Sequence, residues 1–186
     1  MKTPVRTLIP LAGGFEEMEA VIIVDMLRRC GAEVVTASIT GSREVTGSRG
    51  ITVMADTLWH HPGLATFDAL VIPGGLAGVN ALRADGRAAA CAKAFHGQGK
   101  LVAAICAAPL VLLDAGLLEG RFTCHSTVAD KITTGVCAAA RVVEDRGVIT
   151  GCGAGASFEF ALRVAARLFD EATAQRIGTA ACVKRD

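Results

Sequence analysis

Short runs of β-branched and apolar residues alternate along the chain with longer stretches whose apolar positions recur every three or four residues. A run of four to six such residues suits a buried strand, and the wider spacing suits a helix with one face in the core. Their alternation is the pattern of a mostly parallel sheet with helices on both sides. Strands are expected at 6–11, 33–38, 69–72, 101–105, 123–125 and 148–151, and helices at 16–30, 86–97, 109–115, 157–169 and 171–177. Gly31 stands where a helix-terminating glycine belongs. Two segments break the alternation. Residues 43–55 alternate in polarity around Ser48-Arg49-Gly50, and 141–151 set Glu144-Asp145-Arg146-Gly147 between valine-rich arms, so both read as antiparallel hairpins. The stretch 76–80 reads as a polar, glycine-bearing loop.

Composition narrows the picture. With 186 residues, 52% of them hydrophobic and 20% charged, the chain is read as one α/β domain over 1–186 that needs neither metal nor disulfide to hold its core. Net charge is +1 with no block of like sign, which argues against a nucleic-acid partner. The first apolar run is short and broken by Pro10 and two glycines, so it reads as a strand rather than a signal peptide or membrane span. Seven cysteines form an odd set with no CxxC or CxxH pair, against a disulfide framework or structural zinc, and a reducing cytoplasm is the expected home.

The segment LVAAICAAPLVLLDAG carries the strongest chemical signal, because a buried strand ends at Cys106 and a helix begins within three residues, with Pro109 suited to its first turn. Such an elbow exposes one side chain at the carboxyl edge of the sheet, where open α/β folds place their ligands. The helix dipole is expected to lower the thiol pKa below its free value of about 8.5. A small buried cysteine fits the spacing equally well.

A second strand, DALVI, runs into Pro73-Gly74-Gly75. Should that loop lie beside the elbow, the N–H groups of Gly75 and Ala107, with Gly74 next to them, are placed to hold a developing oxyanion; an ordinary turn explains the glycines too. In GGFEEMEAVIIVDMLRRCG, Glu19 shares a helical stripe with Ile22, Ile23, Met26 and Leu27, whereas Glu17 continues through Ala20, Val21, Val24 and Arg28. A carboxyl on the more buried stripe should have a raised pKa and could donate a hydrogen bond to a thiolate. The competing explanation is a favourable acidic helix start, which covers Glu16 and extends to Glu17. Of four histidines, His125 ends an expected strand on the same sheet edge and suits acid/base work or a structural place; His60 and His61 lie in a WHHP loop, and His96 at a helix end.

Taken in order and spacing, GGFEEMEAV, VIPGG, AAICAAP, CHS and GASFEFAL resemble the DJ-1/ThiJ/PfpI superfamily, and most of all its DJ-1/YajL-like branch, the family of parkinsonism-associated protein deglycase. The resemblance runs from the first strand to the SFEFAL helix. It implies a flavodoxin-like three-layer sandwich, a homodimer, and a cysteine that oxidises readily to sulfinate. It makes Cys106 the reactive cysteine, Glu19 its protonated carboxyl partner, Gly75 and Ala107 the oxyanion donors, and His125 the nearby histidine. Arg49, in the SR pair, and Arg29 resemble arginines near the site and the dimer contact.

Three positions depart from the family pattern. Ala107 stands where the protease-like branch has a histidine, which argues against peptidase chemistry; Ala108 replaces a common glycine and Ser126 a common proline. The resemblance therefore implies a cofactor-free cysteine enzyme acting on small reactive dicarbonyls or glycated adducts, a glyoxalase III-like lyase or deglycase-type hydrolase. A non-enzymatic redox sensor or stress chaperone using the same cysteine is the alternative. Nothing in the residues supports a thiamine-pathway role.

Overall fold

The computed structural model describes residues 4–59 and 64–184, so His60 and His61 lie outside the described residues. In chain order the elements are β1 (Arg6–Leu11), α1 (Glu17–Arg29), β2 (Glu33–Ser38), β3 (Glu44–Thr46), β4 (Thr52–Met54), β5 (Thr57–Leu58), β6 (Ala69–Ile72), α2 (Leu76–Asp85) and α3 (Arg87–Gly97). There follow β7 (Leu101–Ile105), α4 (Pro109–Asp114), β8 (Arg121–Phe122), α5 (Ser126–Ala129), β9 (Val136–Cys137), β10 (Val142–Asp145), β11 (Val148–Gly151), α6 (Ser157–Leu168) and α7 (Glu171–Ala180).

Seven strands form the central sheet in the order β10-β11-β7-β6-β1-β2-β5. All neighbours are parallel except β10 and β11, a hairpin turned by Arg146 and Gly147 in the left-handed region. Successive strand residues face opposite sides, and both sides are covered. Leu8, Leu70, Ile72, Val102 and Ala104 join the core formed with α2, α3 and α4, where Val79, Leu82, Phe95 and Leu110 pack. Ile9, Val71, Ala103, Ile105 and Ile149 face the second core, with Ile23, Met26 and Leu27 of α1 and Phe160 and Val164 of α6. Strands buried on two faces read as continuous apolar runs, as β6 and β7 do, and β1, β2, β6, β7 and β11 all match the expected boundaries residue for residue. The fold is the expected three-layer, flavodoxin-like α/β sandwich.

α1 stops where Gly31, at φ +94°, lets the Ala32 N–H bond back to Leu27 and its own N–H bond to Arg28. The 43–55 segment is the expected hairpin, β3 against β4.

Two expectations fail. Residues 123–125 are not a strand: β8 is only Arg121–Phe122, because the Thr123 amide bonds to Oγ1 of Thr150 at 2.9 Å instead of a neighbouring backbone, and its hydroxyl donates to the carbonyl of Ala140 at 2.7 Å. The expected loop at 76–80 is the start of α2. Its Gly78 serves close packing rather than a turn, since an added Cβ would come within 2.8 Å of the Phe15 nitrogen.

β2 lies to one side of β1 and β6 to the other, so the strand order reverses between β1 and β6. The carboxyl ends of β1, β6 and β7 border that point, the place where this architecture opens a crevice.

Candidate active site

β7 delivers Cys106 to the sheet edge in a conformation L residues seldom adopt, φ +65°, and α4 starts three residues later with Pro109 in its first turn. The strained residue is fixed at both backbone groups: its N–H donates to the Gly151 carbonyl at 2.9 Å, and its carbonyl accepts from the His125 N–H at 2.8 Å. Its side chain is half-buried.

Glu19 is fully buried on the stripe of α1 that also carries Ile23, Met26 and Leu27. Its Oε2 accepts the Gly74 N–H at 2.7 Å. Its Oε1 is buried with no partner at standard hydrogen-bond geometry among the described residues, and the carboxyl interacts with the thiol of Cys106. Burial pushes the Glu19 pKa up to about 7, and the charge of Glu16 adds to this, while the Gly74 N–H and the Cys106 thiol pull it down.

The expectation of a dipole-lowered thiol is not met. Cys106 is pushed up to about 12, first by burial and then by the charge of the Glu19 carboxylate and the hydrogen bond it accepts; the N–H groups of Gly75 and Ala107 pull the other way. α4 has only six residues, too short a dipole to outweigh the burial of the thiol and the carboxylate beside it.

The PGG loop thus does lie beside the elbow. Gly75 and Ala107 direct their N–H groups at the Cys106 sulfur, whereas the Gly74 N–H is committed to Glu19. Gly74 must be glycine for space: a Cβ there would stand 2.6 Å from Cys106 Cβ and 2.7 Å from Glu19 Oε2. Gly75 has φ +88° and opens α2.

The ring of His125 is exposed and caps α5, its Nδ1 accepting the Thr127 N–H at 3.3 Å and lying 2.9 Å from the Thr127 hydroxyl; the link from His125 to Cys106 runs through the backbone. Arg49 stands over the start of α1, its N–H donating to Glu17 Oε1 at 2.6 Å. Arg29 is not brought to the thiol. It pairs with Asp25 at 2.6 Å in the last turn of α1, ten residues and roughly 15 Å of helix rise from Glu19.

Sequence reasoning undervalued Glu17. It is buried, and burial raises its pKa, but hydrogen bonds from the N–H groups of Arg49 and Ile51 and the hydroxyl of Ser48 outweigh this and hold it below the ordinary range. It ties the β3–β4 turn to α1. Gly47 was the available signal, since a Cβ at that position would overlap the Glu17 carboxyl.

One buried carboxyl, one strained thiol and two converging N–H groups can form a covalent bond to a carbonyl carbon, hold the resulting oxyanion and move a proton. Among the described residues, no group of three or more His, Cys, Asp or Glu side chains could hold a metal ion.

Comparison with known proteins bears on this site. The sequence profile of the DJ-1/PfpI family matches residues 5–167. The chain is 37% identical over 179 residues to Parkinson disease protein 7 homolog of Danio rerio, covering 92% of this chain and 94% of that protein. It is 37% identical over 152 residues, 80% of each chain, to glutathione-independent glyoxalase DJR-1.2 of Caenorhabditis elegans. Other relatives are longer: against Protein DJ-1 homolog B of Arabidopsis thaliana the match takes in 88% of this chain and 38% of that protein. The structure of oxidised Toxoplasma gondii DJ-1 superposes with a TM-score of 0.87 at 34% identity, covering 97% of this chain and all of that one.

Proposed function

The chain belongs to the DJ-1/PfpI family, and from that premise we propose that it is a cofactor-independent cysteine enzyme acting on reactive dicarbonyls or their adducts, glyoxalase III-like or deglycase-like. The observation that carries this reading is the Glu19 carboxyl buried against the Cys106 thiol, under the N–H groups of Gly75 and Ala107.

Glu19 and Cys106 share a proton. With the proton on Glu19, the carboxylate charge and its acceptor bond vanish from the sulfur's surroundings, leaving burial opposed by two N–H donors. That tautomer is the nucleophile. The thiolate attacks the aldehyde carbon of a dicarbonyl such as methylglyoxal, the carbonyl oxygen takes the electron pair between Gly75 and Ala107, and protonation gives a hemithioacetal. Glu19, with His125 as the second proton-transfer group, moves the proton from the former aldehyde carbon to its neighbour while the hydroxyl proton passes to the former ketone oxygen, leaving a 2-hydroxy thioester. Water hydrolyses it to a hydroxy acid, here lactate, and restores the thiol. Each proton-transfer group contributes roughly 10²- to 10⁴-fold. Gly74 holds Glu19 in place rather than holding the oxyanion. Arg49 suits a substrate's negative charge, and Arg29 suits the subunit contact.

The name of the Caenorhabditis elegans relative supports turnover without glutathione. The test is incubation of the purified protein with methylglyoxal and no thiol cofactor. Lactate formation, with nearly all of it lost in Cys106→Ser, supports the reading; no lactate from fully reduced protein overturns it.

The competing reading, an oxidative-stress sensor or chaperone, is favoured by Cys106 being only half-buried and by the existence of an oxidised relative. Mild peroxide followed by mass spectrometry separates the two: selective gain of two oxygens at Cys106 in a protein that makes no lactate assigns sensing.

The same proposal includes a homodimer, in which the exposed Met18 and Val21 of α1 and Ile51 and Met54 of the β3–β4 hairpin cover one another across two copies. It also includes a cytoplasmic site of action, where seven free cysteines stay reduced. No helix among the described residues is long and apolar enough to cross a membrane.

A further inference from the structure

A second pair of sulfur atoms lies outside the chemistry described so far. Cys124 Sγ and Cys137 Sγ are 3.9 Å apart. They are brought together by the short parallel pairing of β8 with β9, in which Phe122 is opposite Cys137, the Val136 N–H donates to the Gly120 carbonyl at 2.9 Å and the Ala138 N–H to the Phe122 carbonyl at 2.7 Å. Cys137 is exposed and Cys124 is buried. Both line one surface groove, together with Thr123, Ser126, Ala139 and Cys152.

We propose that Cys124 and Cys137 form a reversible dithiol–disulfide pair that exchanges with small-molecule disulfides at this groove. The two sulfurs have unequal parts. Cys137 is open to solvent and meets the incoming disulfide. Burial, and then the neighbouring Cys137 sulfur, push the Cys124 thiol up to about 12, so Cys124 acts second. In the first step the Cys137 thiolate attacks one sulfur of the disulfide RSSR, forming a protein–SR mixed disulfide and expelling RS⁻. In the second, Cys124 gives its proton to solvent and attacks the Cys137 sulfur, expelling the second RS⁻. Both leaving thiolates take up protons, so two electrons and two hydrogens pass from the cysteines to RSSR. Closing the bond requires the sulfurs to approach from 3.9 Å to about 2.05 Å, an adjustment that χ rotation and two-residue strands can absorb.

The pair adjoins His125 but its exchange does not depend on the role proposed for Cys106, so the test uses the full chain carrying Cys106→Ser. The reduced protein is incubated with excess oxidised glutathione, acid-quenched, blocked with N-ethylmaleimide and mapped without reduction. The expected result is the loss of two alkylatable thiols, with tryptic peptides 122–131 and 132–141 joined at a mass two hydrogens below their sum. Cys124→Ser should then accumulate glutathione on Cys137. Cys137→Ser, a change at an exposed position that spares the fold, should leave Cys124 unmodified. Full alkylation of both cysteines after the incubation, a Cys137–Cys152 link, or a link between two chains would each overturn the proposal.

Discussion

The carboxyl of Glu19 and the thiol of Cys106 each shift the other's proton affinity: burial and then the Glu19 carboxylate push the thiol up to about 12, while burial lifts the Glu19 carboxyl to about 7 against the opposing pull of the Gly74 N–H and the Cys106 thiol. Two acids so coupled lose their protons as a pair. Below about pH 7 the thiolate fraction grows tenfold per pH step. Above it Glu19 is ionised, one proton is left to share, and the fraction holding the proton on the carboxyl stops changing with pH. Peptide-resolved alkylation of Cys106 by iodoacetamide should therefore climb with pH and level off near pH 7, whereas in Glu19→Gln the break near pH 7 disappears. A break retained in the variant would separate Glu19 from the thiol.

Stability carries the same signature. Because the folded-state pKa of Glu19 lies above its ordinary value, the native chain keeps a proton that the unfolded chain releases, and stability falls as pH rises from 4.5 to about 7. That interval corresponds to about 3 kcal/mol. Glu19→Gln keeps an oxygen for the Gly74 N–H and abolishes the titration, so its stability relative to the native chain should improve by up to that amount between pH 5 and pH 8. Urea-unfolding midpoints of the reduced proteins at the two pH values measure it; parallel curves would rule it out.

Gly74 separates packing from backbone conformation. Gly74→Ala drives a methyl against Cys106 Cβ and Glu19 Oε2, and overpacking of this kind costs about 1–3 kcal/mol. Unfolding midpoints should drop, and the pH 7 break in Cys106 alkylation should shift as the pair is forced apart. Gly97→Ala, where a Cβ meets nothing within 4 Å, should leave both unchanged or add a little helix stability.

The elements legible in the sequence were those whose burial is uniform. β6 and β7 are covered on both faces and read as unbroken apolar runs, and Glu19 was separable from Glu17 because Ile23 and Met26 mark the deeper stripe. What escaped depends on contacts distant in sequence. α2 hid because Gly75 and Gly78 suggest a turn, while their purpose is close approach to the Gly14–Phe15 backbone, some 60 residues away. The end of β8 at Phe122 is set by Thr150, and the proton affinity of Cys106 by a carboxylate 87 positions earlier, neither of which local pattern contains.

Glu17 should matter for the hairpin and not for the chemistry. Its carboxylate accepts the amides of Arg49 and Ile51, so Glu17→Ala leaves donors at the β3–β4 turn unpaired, at a cost of about 1–3 kcal/mol. Its lowered pKa means this contribution is present above the ordinary carboxyl value of 4.5 and is lost as pH falls through the folded one. Hydrogen exchange at the Arg49 and Ile51 amides should accelerate in the variant at pH 7, with the alkylation profile of Cys106 unchanged. A changed Cys106 profile would place Glu17 in the proton network instead.

The subunit contact is open to a test that leaves the core alone. Val21 is 53% exposed on the outer face of α1, near Met18, and the hairpin that Glu17 fastens to the same helix carries Ile51 and Met54, each more than half exposed. Four large apolar side chains projecting from two joined elements make a surface that water disfavours and a second copy can cover, with a two-fold axis letting each patch meet its equivalent. A charge placed at its centre has to be desolvated, unpaired, on association, yet costs the separate chain little because the position already faces solvent. Val21→Asp should hence convert a dimer into a monomer in sedimentation equilibrium at micromolar concentration, with an unfolding midpoint close to that of the native chain measured under monomeric conditions. A native chain that sediments as a monomer over that range, or a variant that remains dimeric, would move the contact off this face.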